Sequence, residues 1–158
     1  MTNIHWLIVA VVVFLLYNIP IAIKWGIQPT ISYTYNLFTT EIGRSLFSWF
    51  IVGISLPLCI AFDKDLGVIA GILLVLDFAA PACNYKLQAV FHIFGAYAGV
   101  VLGMASLIIY FREWYLVILW IIFSLCALKF LKKPTYWIET YAFFIVVIGL
   151  FIKELQIR

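Results

Sequence analysis

Long apolar runs alternate with short polar breaks along almost the whole chain. Most runs have about the 20 residues that a helix needs to cross a bilayer, and the breaks hold charged residues, prolines and asparagine. The pattern predicts six membrane-spanning helices, at about residues 5–24, 45–62, 66–82, 86–111, 114–131 and 135–152. The predicted fold is therefore an all-α bundle of six transmembrane helices, with residues 1–158 in a single transmembrane domain.

The first break, residues 25–44, is much longer than the others. Its centre, PTISYTYN, is rich in hydroxyl groups and aromatic rings and carries no charge. The remaining linkers read DKD, PACNY, REW and KKPT, and such short linkers make consecutive helices antiparallel neighbours. Six spans place both termini on one side of the membrane and the first, third and fifth linkers on the other.

Basic residues are divided unevenly between these two sides. The positive-inside rule favours the richer side as cytoplasmic, which here is the side of the first, third and fifth linkers. Those linkers carry Lys24, Arg44, Lys86, Lys129, Lys132 and Lys133. The side of the termini carries Lys64, Arg112, Lys153 and Arg158.

Composition supports a membrane protein and argues against several other classes. The chain is 66% hydrophobic and 11% charged, whereas about 25% of residues are charged in soluble domains. Its ten Lys and Arg are spread along the chain without forming a basic stripe, so the sequence predicts no nucleic-acid partner. Cys59, Cys83 and Cys126 are widely spaced and odd in number, which favours neither a disulfide framework nor a zinc site. The sequence contains no phosphate-binding or catalytic motif, so we predict no cofactor, no metal and no catalytic residue.

Polar groups within the predicted helices gather in one half of the membrane. Ionisable groups inside a bilayer are costly, and they usually mark a site or a paired contact. Counting about 1.5 Å per residue places these groups within roughly 10 Å of the side on which the first linker lies. The predicted ligand-binding or proton-sensing residues are Asn18, Ser32, Tyr33, Tyr35, Asn36, Asp77, His92 and Glu139.

Asp77 and His92 are expected to be direct partners, because their helices form a tight antiparallel hairpin. Two interpretations of this pair stay open: a polar contact that only joins the helices, or a site for a ligand or proton. Glu139 also has two interpretations, since a shift of one helical turn would bring it to the lipid headgroups.

Three glycines of the fourth predicted helix, Gly95, Gly99 and Gly103, recur at every fourth position. This spacing places them on one face and lets a neighbouring backbone approach closely. Gly67 and Gly71 are expected to meet Gly99 and Gly103 across an antiparallel pair. The pattern predicts close packing of the third and fourth helices within one chain, and a homo-oligomer stays open.

Three features resemble a known family: the motif Pro29-Thr30-Ile31-Ser32 after the first span, six short-looped helices, and a histidine in the fourth helix. In these features the chain resembles the bacterial branch of the damage-regulated autophagy modulator and Sfk-like superfamily. The resemblance implies a six-helix protein of a bacterial cytoplasmic membrane, in a superfamily whose eukaryotic members are linked to lipid organisation, with Ser32 and His92 as the positions carried over. It also implies cytoplasmic termini, opposite to the charge count.

A second comparison concerns the membrane hydrolases that include alkaline ceramidases. Ser55 and Asp77 are similar to their Ser and Asp, but the two histidines that these enzymes need in a late helix are absent from the sequence. A zinc hydrolase is therefore not the expected function.

These features together predict that the protein binds a ligand without converting it. The expected ligand is a lipid headgroup or small amphiphile from the surrounding membrane lipids, held in a one-sided polar pocket under the 25–44 loop. Two alternatives stay open. One is an oligomeric channel that conducts ions or protons through the same acidic groups, and the other is a membrane-embedded lipid-modifying enzyme with His92 as general base.

Overall fold

The structure, a computed structural model, describes residues 3–79 and 86–156, and it describes side chains outside 76–92. This part of the chain is helical and contains no strand. A short 3-10 helix (Ser32–Leu37) interrupts the first linker. The long helices are α1 (Asn3–Trp25), α2 (Glu41–Phe62), α3 (Asp65–Ala79), α4 (Lys86–Ile109), α5 (Trp114–Phe130) and α6 (Pro134–Gln156).

Three of these helices, α1, α2 and α6, are long and apolar enough to cross a membrane. Shorter apolar stretches belong to the other three, at Asp65–Val75, Ile93–Ile109 and Trp114–Phe130. The prediction of an all-helical chain is confirmed, and three candidate spans are present in the described part of it.

Local sequence signals account for where the helices begin and end. Thr40 caps α2, since its hydroxyl accepts a hydrogen bond of 3.1 Å from the Gly43 amide. Gly26 follows α1 with a φ of 73°, a conformation that glycine adopts without steric cost. At the other end of α2, Asp63 has a φ of 51° and turns the chain directly into α3.

The helices pack in chain order around a common centre. α1 packs on α2, α2 on α3 and α3 on α4, and α6 returns to contact α1 and α4. α5 packs mainly on α6 and lies outside this ring. Asn3 donates a hydrogen bond of 2.9 Å to Glu154, which brings the start of α1 beside the end of α6. The ends of the bundle are called here the loop end, where the first linker lies, and the termini end.

Glycines allow close contact on both sides of α3. A Cβ atom at Gly99 of α4 would lie 2.8 Å from Leu74 and 3.2 Å from the Ala70 carbonyl oxygen, both in α3. α4 therefore approaches α3 closely at Gly99, whereas Gly103 has looser surroundings, with its nearest contact at 3.7 Å. Gly95 is buried.

Gly67 and Gly71 have their nearest side-chain neighbours in α2, and their predicted contact with Gly99 and Gly103 stays a prediction. The side chains that fill the space next to them are Phe62 and Cys59 of α2. The physical reason is the very short link between α2 and α3, which folds α3 back onto α2 before α4 is reached. The face of α3 that carries the smallest residues therefore packs against α2.

Stacked aromatic rings fill the core near the loop end. The ring of Phe14 stacks on Phe143 at 4.3 Å, and that of Tyr17 stacks on Phe50 at 4.1 Å. In lipid, such packing contributes more than hydrophobic burial, because the surrounding tails are as apolar as the side chains. Outward-facing side chains are also apolar, as at Leu125 (63% exposed) on α5, which suits contact with lipid.

Candidate functional site

A cavity of about 130 Å³ lies at the centre of the helical ring. Helices α1, α2, α3, α4 and α6 all contribute to its wall, together with the first linker. The residues that line it are Phe14, Ile31, Ser32, Phe47, Phe50, Ile51, Ile54, Leu58, Phe62, Ala70, Gly71, Leu74, Ala96, Gly99, Val100, Gly103, Glu139, Ala142, Phe143 and Val146.

The cavity is elongated along the helix axes. On α2 its wall extends from Phe47 to Phe62, which corresponds to roughly 22 Å at 1.5 Å per residue. Small residues of α3 and α4, such as Ala70 and Ala96, widen it in the middle. The space therefore suits a narrow, extended molecule better than a compact one.

Polar side chains reach this cavity at its loop end. Among the described residues that line it, Ser32 and Glu139 are the polar ones, and all the others are apolar or glycine. Glu139 accepts a hydrogen bond of 2.7 Å from the Ile31 amide through its Oε2 atom. The Ser32 and Thr30 hydroxyl groups lie 3.0 Å apart and share a hydrogen bond. The result is an apolar tunnel with a carboxylate and a hydroxyl group at one end.

The first linker is held down onto α6 by its backbone. The Tyr136 amide donates a hydrogen bond of 3.2 Å to the Pro29 carbonyl, and the Lys133 ammonium donates one to the Ile27 carbonyl. Together with the bond from Ile31 to Glu139, these contacts fix the linker over the loop end of the cavity. The linker thus forms a cover that α6 keeps in place.

Buried polar side chains hold the same cover onto α1. Thr34 is fully buried, its hydroxyl lies 2.8 Å from that of Tyr17, and it also donates to the Ile31 carbonyl at 2.6 Å. Nearby, Asn18 accepts a hydrogen bond of 3.3 Å from the Tyr136 hydroxyl and donates one to the Phe14 carbonyl. Asn18 is therefore a buried link between α1 and α6.

The structure brings some of the predicted site residues together and separates others. Ser32 and Glu139 line the cavity, while Asn18 lies behind its wall. Tyr33 and Asn36 are exposed on the outer face of the linker. Tyr35 is half-buried, with its ring edge against Phe47 and the Arg44 guanidinium over its face.

The side chains of Asp77 and His92 lie outside the described residues, so their predicted contact stays a prediction. Within the described part of the chain, no group of three or more His, Cys, Asp or Glu residues is arranged to hold a metal ion.

Three residues of this region were not singled out from the sequence. They are Tyr17, Thr34 and Tyr136, whose hydroxyl groups bond across the linker and between helices. The sequence holds a signal for Tyr17, because it is adjacent to Asn18 and lies a little more than two turns before the end of α1. The partners come from distant parts of the chain, and the sequence pattern alone does not pair them.

We compared the chain with protein-family models, with curated proteins and with solved structures, and no match was found in any of the three.

Proposed function

We propose that this protein is an integral membrane protein whose six helices all cross the bilayer, and that it binds a membrane amphiphile in its central cavity. The hydrocarbon tail would occupy the apolar tunnel, and the polar end would lie beside Ser32 and Glu139. The observation that carries this proposal is the lining itself, which is apolar over roughly 22 Å and polar at one end.

Packing supports membrane crossing by α3 and α4 as well. α3 and α4 form two sides of the ring that α1, α2 and α6 complete. Their apolar stretches are shorter than those of the other ring helices, but they run alongside them and share the same cavity. A helix satisfies its backbone groups internally, so α3 and α4 would be able to cross the bilayer beside these neighbours.

The lining favours an amphiphile over a permeating ion. Ion pathways are lined by rings of charges or carbonyl groups that replace the hydration shell. Here the described wall below Ser32 and Glu139 offers neither. An apolar cavity of about 150 Å³ in another protein stays dry and binds small hydrocarbons, so a hydrocarbon chain is the natural occupant.

A cavity-filling substitution tests this proposal. Ala96 on α4 lines the cavity, whereas Ala98 on the same helix is half-buried and does not line it. We expect that native mass spectrometry of the protein released from lipid nanodiscs shows a retained amphiphile in the wild type and in Ala98→Phe, and its loss in Ala96→Phe. Retention that is equal in both variants would contradict the proposed site.

Liposome flux separates this function from conduction. We expect liposomes containing the protein to be no more permeable to protons or potassium ions than empty ones. A proton or potassium leak that Glu139→Gln abolishes would favour the channel instead.

A further inference from the structure

A second cavity, of about 360 Å³, lies at the termini end of the bundle. Three segments that are distant in the chain form it: the turn after α2, the residues after α4, and the end of α6. Among the described residues it shares no lining residue with the central cavity. Its lining is mainly charged and polar, and consists of Asp63, Lys64, Tyr110, Phe111, Lys153 and Gln156.

The charges of this lining favour an anion. Lys64 and Lys153 contribute two positive charges and Asp63 one negative charge, so the described lining has a net charge of +1. Two ammonium groups that line one cavity repel each other, and an anion placed beside them offsets that repulsion. Ammonium groups also donate charge-assisted hydrogen bonds to phosphate oxygens. A phosphodiester, which carries a single negative charge, would make the occupied cavity neutral.

An aromatic ring supports one of the two lysines. The Lys153 ammonium lies 4.9 Å from the centroid of the Phe111 ring, in a cation–π contact. The Phe111 ring stacks on that of Phe62 at 6.5 Å, and Phe62 is only 2% exposed. A buried ring therefore backs the ring on which Lys153 rests, and less side-chain freedom is lost when Lys153 binds an anion.

The position of the cavity favours a lipid over a free ion. In a bundle that crosses the bilayer, the ends of α2, α4 and α6 lie at the level of the headgroups, where basic pockets between helices bind phospholipids. Exposed apolar side chains come shortly before the lining residues on two of these helices, at Ile109 (60% exposed) and Phe151 (40% exposed). Such side chains suit contact with the lipid tails.

We propose that this cavity binds the headgroup of an anionic phospholipid, with the phosphate beside Lys64 and Lys153. The proposal rests on the proposed function only in that the bundle crosses a membrane, since the site and its ligand are separate from the central cavity. A glycerol headgroup would also donate hydroxyl groups to the Asp63 carboxylate. Phosphatidylglycerol therefore matches both the cations and the carboxylate of the lining.

Three phospholipids with the same acyl chains test the proposal: phosphatidylglycerol, phosphatidylethanolamine and phosphatidylcholine. Each is titrated into the purified, full-length protein in a non-ionic detergent at low ionic strength, and native mass spectrometry measures the affinity of the first bound lipid. We expect phosphatidylglycerol to bind at least about fivefold more tightly than the two zwitterionic lipids. Inorganic phosphate, compared with chloride at equal ionic strength, should not displace it, because a free ion lacks the tails.

Lysine variants locate the site. Lys64→Gln and Lys153→Gln should each weaken phosphatidylglycerol binding about fivefold, which is the contribution of one cation near an anionic lipid. Lys153→Arg keeps the charge and should bind at nearly the wild-type affinity. Lys132→Gln is the matched control, because Lys132 is an exposed lysine at the loop end that does not line the cavity. Size-exclusion chromatography checks that each variant is folded.

Several outcomes would overturn the proposal. They are equal affinity for the three lipids, unchanged binding in the variant that lacks both Lys64 and Lys153, an equal loss in Lys132→Gln, and displacement by inorganic phosphate, which would indicate a site for a small anion.

Ala96→Phe separates this proposal from the proposed function. Ala96 lines the central cavity and not the second one, so the variant should bind phosphatidylglycerol like the wild type. If Ala96→Phe abolishes that binding and the lysine variants do not, the lipid occupies the central cavity, and the second site fails while the proposed function stands. If the lysine variants respond as expected and Ala96→Phe still retains its amphiphile in the nanodisc experiment, the proposed function fails alone.

Discussion

The Ile31 amide and the Glu139 carboxylate are joined by a hydrogen bond of 2.7 Å, although 108 positions separate them in the chain. The bond connects the first linker to the last helix at the polar end of the cavity. Glu139 thus has two roles in the structure, as part of the cavity wall and as an attachment for the cover. These roles can be separated, because a neutral amide keeps the attachment and loses the charge.

Removing the attachment should loosen the cover. In Glu139→Ala the Ile31 amide loses its acceptor, and a hydrogen bond to a charged group contributes about 1.5 to 3 kcal/mol. We expect the Ile31 amide to exchange with deuterium at least about tenfold faster, as measured by hydrogen–deuterium exchange mass spectrometry. Glu139→Gln should exchange at nearly the wild-type rate. Equal protection in the alanine variant would show that the other linker contacts suffice.

The contact between Tyr17 and Thr34 should contribute measurably to stability. Tyr17→Phe preserves the stack on Phe50 but removes the hydroxyl that lies 2.8 Å from that of Thr34. Hydrogen bonds between membrane helices contribute about 0.6 kcal/mol on average and up to about 1.7 kcal/mol, so the melting temperature in detergent should fall. Tyr97→Phe is the control, since Tyr97 is 67% exposed. A similar melting temperature for the two variants would argue against the contact.

Gly99 and Gly103 should respond differently to the same substitution. A methyl group at Gly99 would press on Leu74 and the Ala70 carbonyl, and overpacking of this kind costs about 1 to 3 kcal/mol. At Gly103 the nearest atoms lie at 3.7 Å, which is ordinary contact distance. Thermal unfolding of the two alanine variants should therefore show a clear loss for Gly99→Ala and little change for Gly103→Ala. The reverse order would contradict the packing of α4 on α3.

Ser55 offers a stabilising substitution. It is fully buried in α2, and its hydroxyl has no hydrogen-bond partner among the residues that the structure describes. An unsatisfied buried hydroxyl costs about 1 to 3 kcal/mol, so Ser55→Ala should raise the melting temperature. Ser124→Ala is the matched comparison, because the Ser124 hydroxyl donates to the Trp120 carbonyl at 2.7 Å and its removal should bring no gain. A lower melting temperature for Ser55→Ala would show that the Ser55 hydroxyl makes a stabilising polar contact.

The number of spans can be read from two labelled positions. Asn36 in the first linker and Gln156 at the end of α6 are both exposed. If all six helices cross, five lie between these positions and place them on opposite sides of the membrane. If only α1, α2 and α6 cross, the two positions share one side.

Single cysteines at these positions distinguish the two cases. In a background with Cys59, Cys83 and Cys126 replaced by alanine, a membrane-impermeant maleimide applied to intact cells should label only one of Asn36→Cys and Gln156→Cys. The charge count predicts that Gln156→Cys is the labelled one. Equal labelling of both, with a cytoplasmic marker protected, would contradict six spans.

The helices could be predicted from the sequence because charged and turn-forming residues bound each apolar run. Glu41 and Asp63 bracket α2, for example, and the predicted bounds of that helix, 45–62, differ from it by only a few residues at its start. The 3-10 helix in the first linker was not predicted, because its shape depends on contacts of Thr34 and Ile31 with distant helices.

Less of the candidate site than of the helical fold could be predicted from the sequence. Counting helix turns placed Glu139 beneath the first linker, where the structure also has it. A polar pocket under the first linker was predicted, but its long apolar part was not, because that part depends on which faces of five helices turn inwards. The contacts of Gly67 and Gly71 with Phe62 and Cys59 could not be predicted for the same reason: a glycine pattern identifies a small face without identifying the helix that packs on it.

The hydrogen bonds that hold the linker cover onto α6 can form only after α6 has been synthesised, so the cover is fixed late in the assembly of the bundle. Translation adds about 5 to 20 residues per second, so the ribosome makes Ile31 roughly 5 to 20 seconds before Glu139, 108 positions later. During that interval the first linker has no partner on α6, and the wall of the cavity is incomplete. During synthesis the cavity is therefore open on the side that α6 later closes, and the proposed amphiphile would have a route inside before the bundle is finished.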